Sequence, residues 1–140
     1  MSRLGRRLAF DYGDVRIGVA VCDPDGILAT PLITLASKDP QLMKNILSLI
    51  EEYQPVKIYV GNPKLLSGND GDAVAKVKAF KVLLEASVEI PIVLIDERLS
   101  TVTATKSMRS AGISAKEARL TIDQMAAVAI LEQGLSHDRG

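Results

Sequence analysis

Three acids stand where the chain changes from one kind of element to another. Asp11 follows Ala9 and Phe10 at the end of a short apolar stretch. Glu97 follows directly on the apolar run PIVLID, in Asp96-Glu97-Arg98. Asp123 precedes the small-residue run Met125-Ala126-Ala127-Val128-Ala129. Small residues let a helix lie close to a sheet, which would carry Asp123 toward Asp11 and Glu97. Three converging carboxylates repel one another in a partly dry site, and a divalent cation would neutralise them. Oxygen donors without His or Cys favour Mg2+ or Mn2+ over zinc. Such a site suits phosphodiester hydrolysis, because the metal polarises phosphate and activates water. Each acid also has a plainer role: Asp11 in an Asx turn, Glu97 in a surface pair with Arg98, Asp123 on a solvated helix face. Residue types and spacing alone leave both sets of roles open.

Other chemistries have little to work with. A single cysteine, Cys22, excludes an intramolecular disulfide and a four-cysteine zinc site, and reads as a small core residue. The single histidine, His137, lies near the C-terminus and reads as part of a solvated tail. A Ser-His-Asp triad would have to use it. Lys and Arg total 17 and Asp and Glu total 17, which argues against coating nucleic acid by bulk charge but allows a local basic face. No apolar run reaches the roughly 18 residues of a membrane span, and no signal-like stretch follows the basic N-terminus, so the expected address is the cytoplasm. At 140 residues the chain is expected to form one domain, 1–140, with its own core.

The hydrophobic period places the elements. Leu8 to Asp11, Ile17 to Asp23 and Ile27 to Leu35 read as strands joined by short turns, hence antiparallel, the third bent at Pro31. Asp39-Pro40 reads as a helix start, with Leu42, Ile46, Leu49, Ile50 and Tyr53 on one face and Pro55 as the stop. Lys57 to Gly61 reads as a strand and Asn62 to Gly71 as a loop. Asp72 caps a helix with core face Ala73, Val77, Phe80 and Leu84. Pro91 to Asp96 reads as a strand buried on both faces. Ser100 to Gly112 reads as a third helix. Ser114-Ala-Lys-Glu117 reads as the capping box of a last one, running to about Gln133. The expectation is an α/β fold with a five-stranded mixed sheet, three antiparallel strands then two parallel ones, and helices on both faces.

Four blocks, FDYGDVRIGVAVCD, YVGNPKLLSGNDGDAV, LIDERLSTVTA and LTIDQMAAVAIL, resemble the YqgF family, also called RuvX. This is a bacterial group of Holliday-junction resolvases in the ribonuclease H-like superfamily, also described as trimming the 5′ end of immature 16S rRNA. The resemblance runs from about Ala9 to Leu131. It implies a ribonuclease H-like fold and a metal-dependent nuclease with Asp11, Glu97 and Asp123 as catalytic, metal-binding acids, with Asp96 as a candidate fourth. It implies that Arg16 and Arg98 face substrate phosphate. It places Asn62, Lys64, Ser67, Gly68 and Gly71 in a substrate-contacting loop. The family usually has Ser at Cys22 and often Leu at Asn62.

Between Glu97 and Arg119 the bases Arg98, Lys106, Arg109, Lys116 and Arg119 face only Glu97 and Glu117, a basic rim suited to phosphate. The expected partner is nucleic acid, precursor rRNA or branched DNA, bound by a monomer or a homodimer, with no membrane. Two other functions compete. A sugar-kinase-like or actin-like phosphotransferase shares an Asp-x-Gly start but needs two domains to clamp ATP. A nucleic-acid or ribosome-assembly binding module could keep the fold with little activity.

Overall fold

The computed structural model describes residues 5–62, 71–96 and 115–139; the side chains of 71–73, 115–123 and 139 lie outside that description. Its elements in chain order are β1 (Arg7–Tyr12), β2 (Arg16–Cys22), β3 (Ala29–Ala36), α1 (Leu42–Tyr53), β4 (Lys57–Asn62), α2 (Gly71–Ser87), β5 (Ile92–Asp96) and α3 (Ala115–Arg139). The strands form one sheet in the order β3-β2-β1-β4-β5. β1–β2 and β2–β3 pair antiparallel, while β1–β4 and β4–β5 pair parallel. Short turns and helical crossovers dictate these directions, as expected. The expected helix over 100–112 lies outside the described residues.

Strand alternation divides the core between the two faces. One face carries Leu8, Phe10, Ile17, Val19, Ile58 and Val60, covered by α1 and α2 through Ile46, Val77, Phe80 and Leu84. The other carries Ala9, Ala20, Cys22 and Tyr59, covered by α3 through Ala126, Ala127, Ile130 and Leu131.

Several ends differ from expectation, each for a local reason. β3 begins at Ala29, because the N–H groups of Ile27 and Leu28 donate to Asp23 Oδ1 at 2.7 and 3.2 Å and close a turn. α1 begins at Leu42, because Asp39 makes its own turn first: Oδ1 accepts from Gln41 N at 2.8 Å and the carbonyl from Leu42 N at 2.9 Å. The helix stops where Gln54 turns left-handed, at φ 48°, just before Pro55. β5 lies at the edge of the sheet, so Val93 and Leu94 are only half buried, not enclosed on both faces.

The largest difference is at the C-terminus. The stretch read as a tail is the last part of α3, which runs to Arg139. Leu135 is buried, and Asp138 Oδ2 collects three donors: Arg7 Nη1 at 2.8 Å, Lys57 Nζ at 2.8 Å and Tyr59 OH at 2.5 Å. Arg7 Nη1 also donates to Tyr59 OH at 2.7 Å. Burial alone would push the Asp138 carboxyl up. Hydrogen bonds from Lys57 and Tyr59, with the charges of Lys57 and Arg7, more than reverse this and hold it below its ordinary value of 3.8. Four residues earlier, Gly134 lies on the Tyr59 ring. A Cβ there would stand 2.7 Å from Cδ1, Cε1 and Cε2.

Gly134→Ala should therefore invert the usual helix rule. Alanine normally gains about 0.5–1 kcal/mol over glycine inside a helix. Here the ring is held by Arg7 and Asp138 and has nowhere to go. Thermal unfolding should show a net loss of about 1–3 kcal/mol. Asp138→Asn should show a pH signature. A depressed carboxyl contributes stability that is complete above its unfolded value and lost as pH falls through the folded one. The stability gap between wild type and Asp138→Asn should be full at neutral pH and close as pH drops below about 4.

Candidate active site

Asp11 sits one residue from the carboxyl end of β1, with 6% of its surface exposed. It shares the α3 side of the sheet with Ala9, by alternation along β1. Its paired residue on β2 is Gly18, and Gly18 pairs in turn with Thr34 on β3. The parallel register sets Phe10 beside Val60, so one residue further Gly61 stands beside Asp11. Asp11 thus has glycine on both sides in the sheet. Neither of these neighbours adds a side chain of its own beside the carboxylate. In a sheet built from parallel strands, these carboxyl ends are where ligands bind.

α3 crosses this same row. Gln124 Nε2 donates to Thr34 Oγ1 at 3.1 Å, and Ala126 and Ala127 are fully buried just beyond. The backbone of residue 123 is therefore next to the point where α3 meets the Thr34–Gly18–Asp11 row. The close approach follows from the small residues on both partners: Ala9 and Ala20 below, Ala126, Ala127 and Ala129 above. Arg16 follows the same alternation on β2, on the face of Asp11 and one step nearer the strand ends. It is half buried.

Two residues turn the other way. Asn62 pairs with Asp96 across β4 and β5, and both share the face of Val60 and Leu94, away from Asp11. Asp96 is half buried there. Asn62 is buried, and its Oδ1 has no hydrogen-bond partner among the described residues. The structure thus brings Asp11, Arg16 and the start of the buried α3 surface to one face, and places Asn62 and Asp96 on the other. Glu97, Arg98, Lys64, Ser67 and Gly68 lie outside the described residues, as do the side chains of Asp123 and Arg119. Among the described residues no three His, Cys, Asp or Glu gather at one point. Cys22 is at the far end of β2, accepting from Arg7 N at 3.2 Å, and burial pushes its thiol up, so it stays protonated. Sequence reading did not single out Thr34 or Gln124, the contact that seats α3 on this row. Neither residue type signals such a pairing across ninety positions.

The fold and the chain both have relatives. A Thermus thermophilus RuvC in complex with a Holliday junction substrate superposes with a TM-score of 0.59 at 13% identity, covering 96% of each chain. A second Thermus thermophilus RuvC structure gives 0.57 at 17% identity, again over 96% of each. At these identities the likeness concerns the fold, which is RuvC-like and ribonuclease H-like. In sequence, the chain is 48% identical over 139 residues to a protein of Streptomyces avermitilis named "Putative pre-16S rRNA nuclease", covering 98% of this chain and 89% of that one. A protein of the same name from Streptomyces coelicolor is also 48% identical, over 98% of this chain and 83% of its own. The family model described as RuvX, Holliday junction resolvase, matches residues 5–137. With that match and these identities over nearly its whole length, the chain belongs to the RuvX family.

Proposed function

We propose that this protein is a divalent-metal-dependent nuclease acting on precursor 16S rRNA. The observation that carries the reading is Asp11: a carboxylate buried at the carboxyl edge of the sheet, between two glycines and under the start of a close-packed helix, in a chain 48% identical to relatives named for that activity. The donor chemistry fits magnesium or manganese. Asp11 offers hard oxygens, and the buried thiol of Cys22 and the imidazole of His137 are on elements that end far from it.

Asp11, Glu97 and Asp123 would hold the metal. When bound, it supplies a Lewis acid that polarises a phosphate oxygen and lowers the pKa of water. The protein's own contribution is placement. β1 fixes the Asp11 backbone through its pairing with Gly18 on β2, so the carboxylate needs little reorganisation when charge develops nearby. The flanking glycines admit a bulky phosphate beside it. Arg16, on the same face and nearer the strand ends, would hold a backbone phosphate, and Arg98 and Arg119 would extend that grip along the substrate. Lys64, Ser67 and Gly68 would contact the substrate from the segment after β4. Asn62 would set the start of that segment through its place in the strand, since its amide faces the opposite side.

The decisive experiment incubates the purified protein and Asp11→Asn with manganese on a 16S rRNA precursor and on a four-way DNA junction. Cleavage of the precursor by wild type alone is expected. Cleavage of the junction alone would replace this reading with a resolvase, and no cleavage of either would leave a binding module. Asp11→Asn should also raise the melting temperature without metal, since carboxylate repulsion falls, and should lose the rise that manganese gives wild type.

Two acids on α3 give a sharper test. Asp123→Asn should lose cleavage, like Asp11→Asn. Glu117→Gln, at the capping-box position of the same helix, should keep it and cost at most about 1 kcal/mol. The reverse result would mean that the wrong carboxylate has been assigned. Asn62→Leu should retain cleavage and gain about 1–3 kcal/mol in thermal unfolding, because an apolar side chain of similar size replaces a buried oxygen that has no partner among the described residues.

A further inference from the structure

We infer that the outward face of α2 is a homodimer interface, in which the α2 helices of two copies lie antiparallel about a two-fold axis. The inward face of α2 is already used: Val74, Val77, Phe80 and Leu84 are buried in the core. Yet the helix carries a second apolar stripe on its other side. Ala75, Ala79, Val82 and Ala86 follow one another at steps of four, three and four residues, with Leu83 beside them, and all are exposed. Val82 is 63% and Leu83 50% exposed. A solitary exposed Val or Leu needs no explanation. A four-three-four seam running for three turns is the spacing by which one helix packs along another. Its alanines would let the two axes approach to about 8 Å.

The charges beside the seam select the occupant. Lys78 and Glu85 are seven residues apart, so they lie on the same edge of the stripe, basic toward the N-terminus and acidic toward the C-terminus. In an antiparallel pair, the same edges of the two helices meet. Lys78 then faces the partner's Glu85, and the symmetry repeats the pair. A parallel pairing would lose this match. Both groups have capacity for it. Lys78 has no partner among the described residues, and Glu85 uses only Oε2, for Lys81 Nζ at 2.7 Å. The helix also carries Lys76 and Lys81, but Asp14 holds the first at 2.8 Å and Glu85 the second at 2.7 Å, so little positive charge is left over to favour a nucleic acid on this face. Because α2 and Asp11 are on opposite sides of the sheet, pairing through α2 leaves the α3 face of each copy uncovered. The inference is independent of the reaction assigned to that face.

Sedimentation equilibrium on the full chain tests it, with thermal melting as a control for folding. Wild type is expected to dimerise, and Val82→Glu to be monomeric, since it buries a charge at the centre of the seam. Lys78→Glu and Glu85→Lys should each weaken the dimer about tenfold, by turning two attractions into two repulsions. The double variant Lys78→Glu/Glu85→Lys should restore it. A wild type that stays monomeric up to about 100 µM overturns the proposal. So does a dimer that the two single charge variants leave unchanged, or one that the double variant fails to recover.

Discussion

The fold depends on how closely α3 can lie on the sheet. A helix seated on large side chains stands well away from the strands beneath it. This one rests on Ala9 and Ala20 with alanines of its own, and on Tyr59 with a glycine. The helix is then fastened at two points. Asp138 gathers donors from β1 and β4, and Gln124 reaches Thr34 on β3. The fastenings are about 20 Å apart along the helix, at 1.5 Å per residue. They run it diagonally from the β3 side to the β4 side. That diagonal brings the stretch around residue 123 over the row of Asp11, at the opposite end from the ionic clamp. The clamp needs no role in chemistry to matter for it: it sets the angle at which the helix crosses.

Much of this was legible in the residues. Strand existence and direction follow from apolar period and connection length, and all five strands agree with that reading. Asp11 announces itself as a charge inside an apolar strand. What escaped reading depends on contacts far apart in the chain. The last turns of α3 looked like a tail because the partners of Asp138 are Arg7, Lys57 and Tyr59, on two distant strands. β5 looked enclosed because an apolar run reports hydrophobicity, not whether a strand has one neighbour or two. Asn62 reads as the first residue of a loop, but pairing with Asp96 carries β4 through it, and its buried amide oxygen has no partner among the described residues.

The two sides of the sheet divide the labour. The side under α1 and α2 is built from large side chains, including Phe10 and Phe80 edge to face at 5.8 Å and Tyr12 against Phe80 at 4.8 Å. It stabilises the fold by bulk burial. The side under α3 sets the small sheet residues Ala9, Ala20 and Cys22, with Tyr59, against Ala126, Ala127, Ile130 and Leu131, and it holds the buried carboxylate of Asp11. Asp11 on one side and Asp96 on the other, with β4 between their strands, therefore meet different surroundings, although both lie at the carboxyl ends of parallel strands.

The kink in β3 bears on how copies of the chain avoid each other in the wrong way. β3 is an outer strand, and its register against β2 slips between Val19 and Ala20, where Pro31 takes its place in the ladder. Proline has no N–H to offer to a passing strand, and a bulge twists the rim out of line. An intruding segment would find the row of hydrogen-bonding groups interrupted in the middle of the strand. With Ile33 exposed on that rim, an unbroken edge would be a template for sheet growth into fibrils. The interruption works against such growth at the cost of one irregular pair.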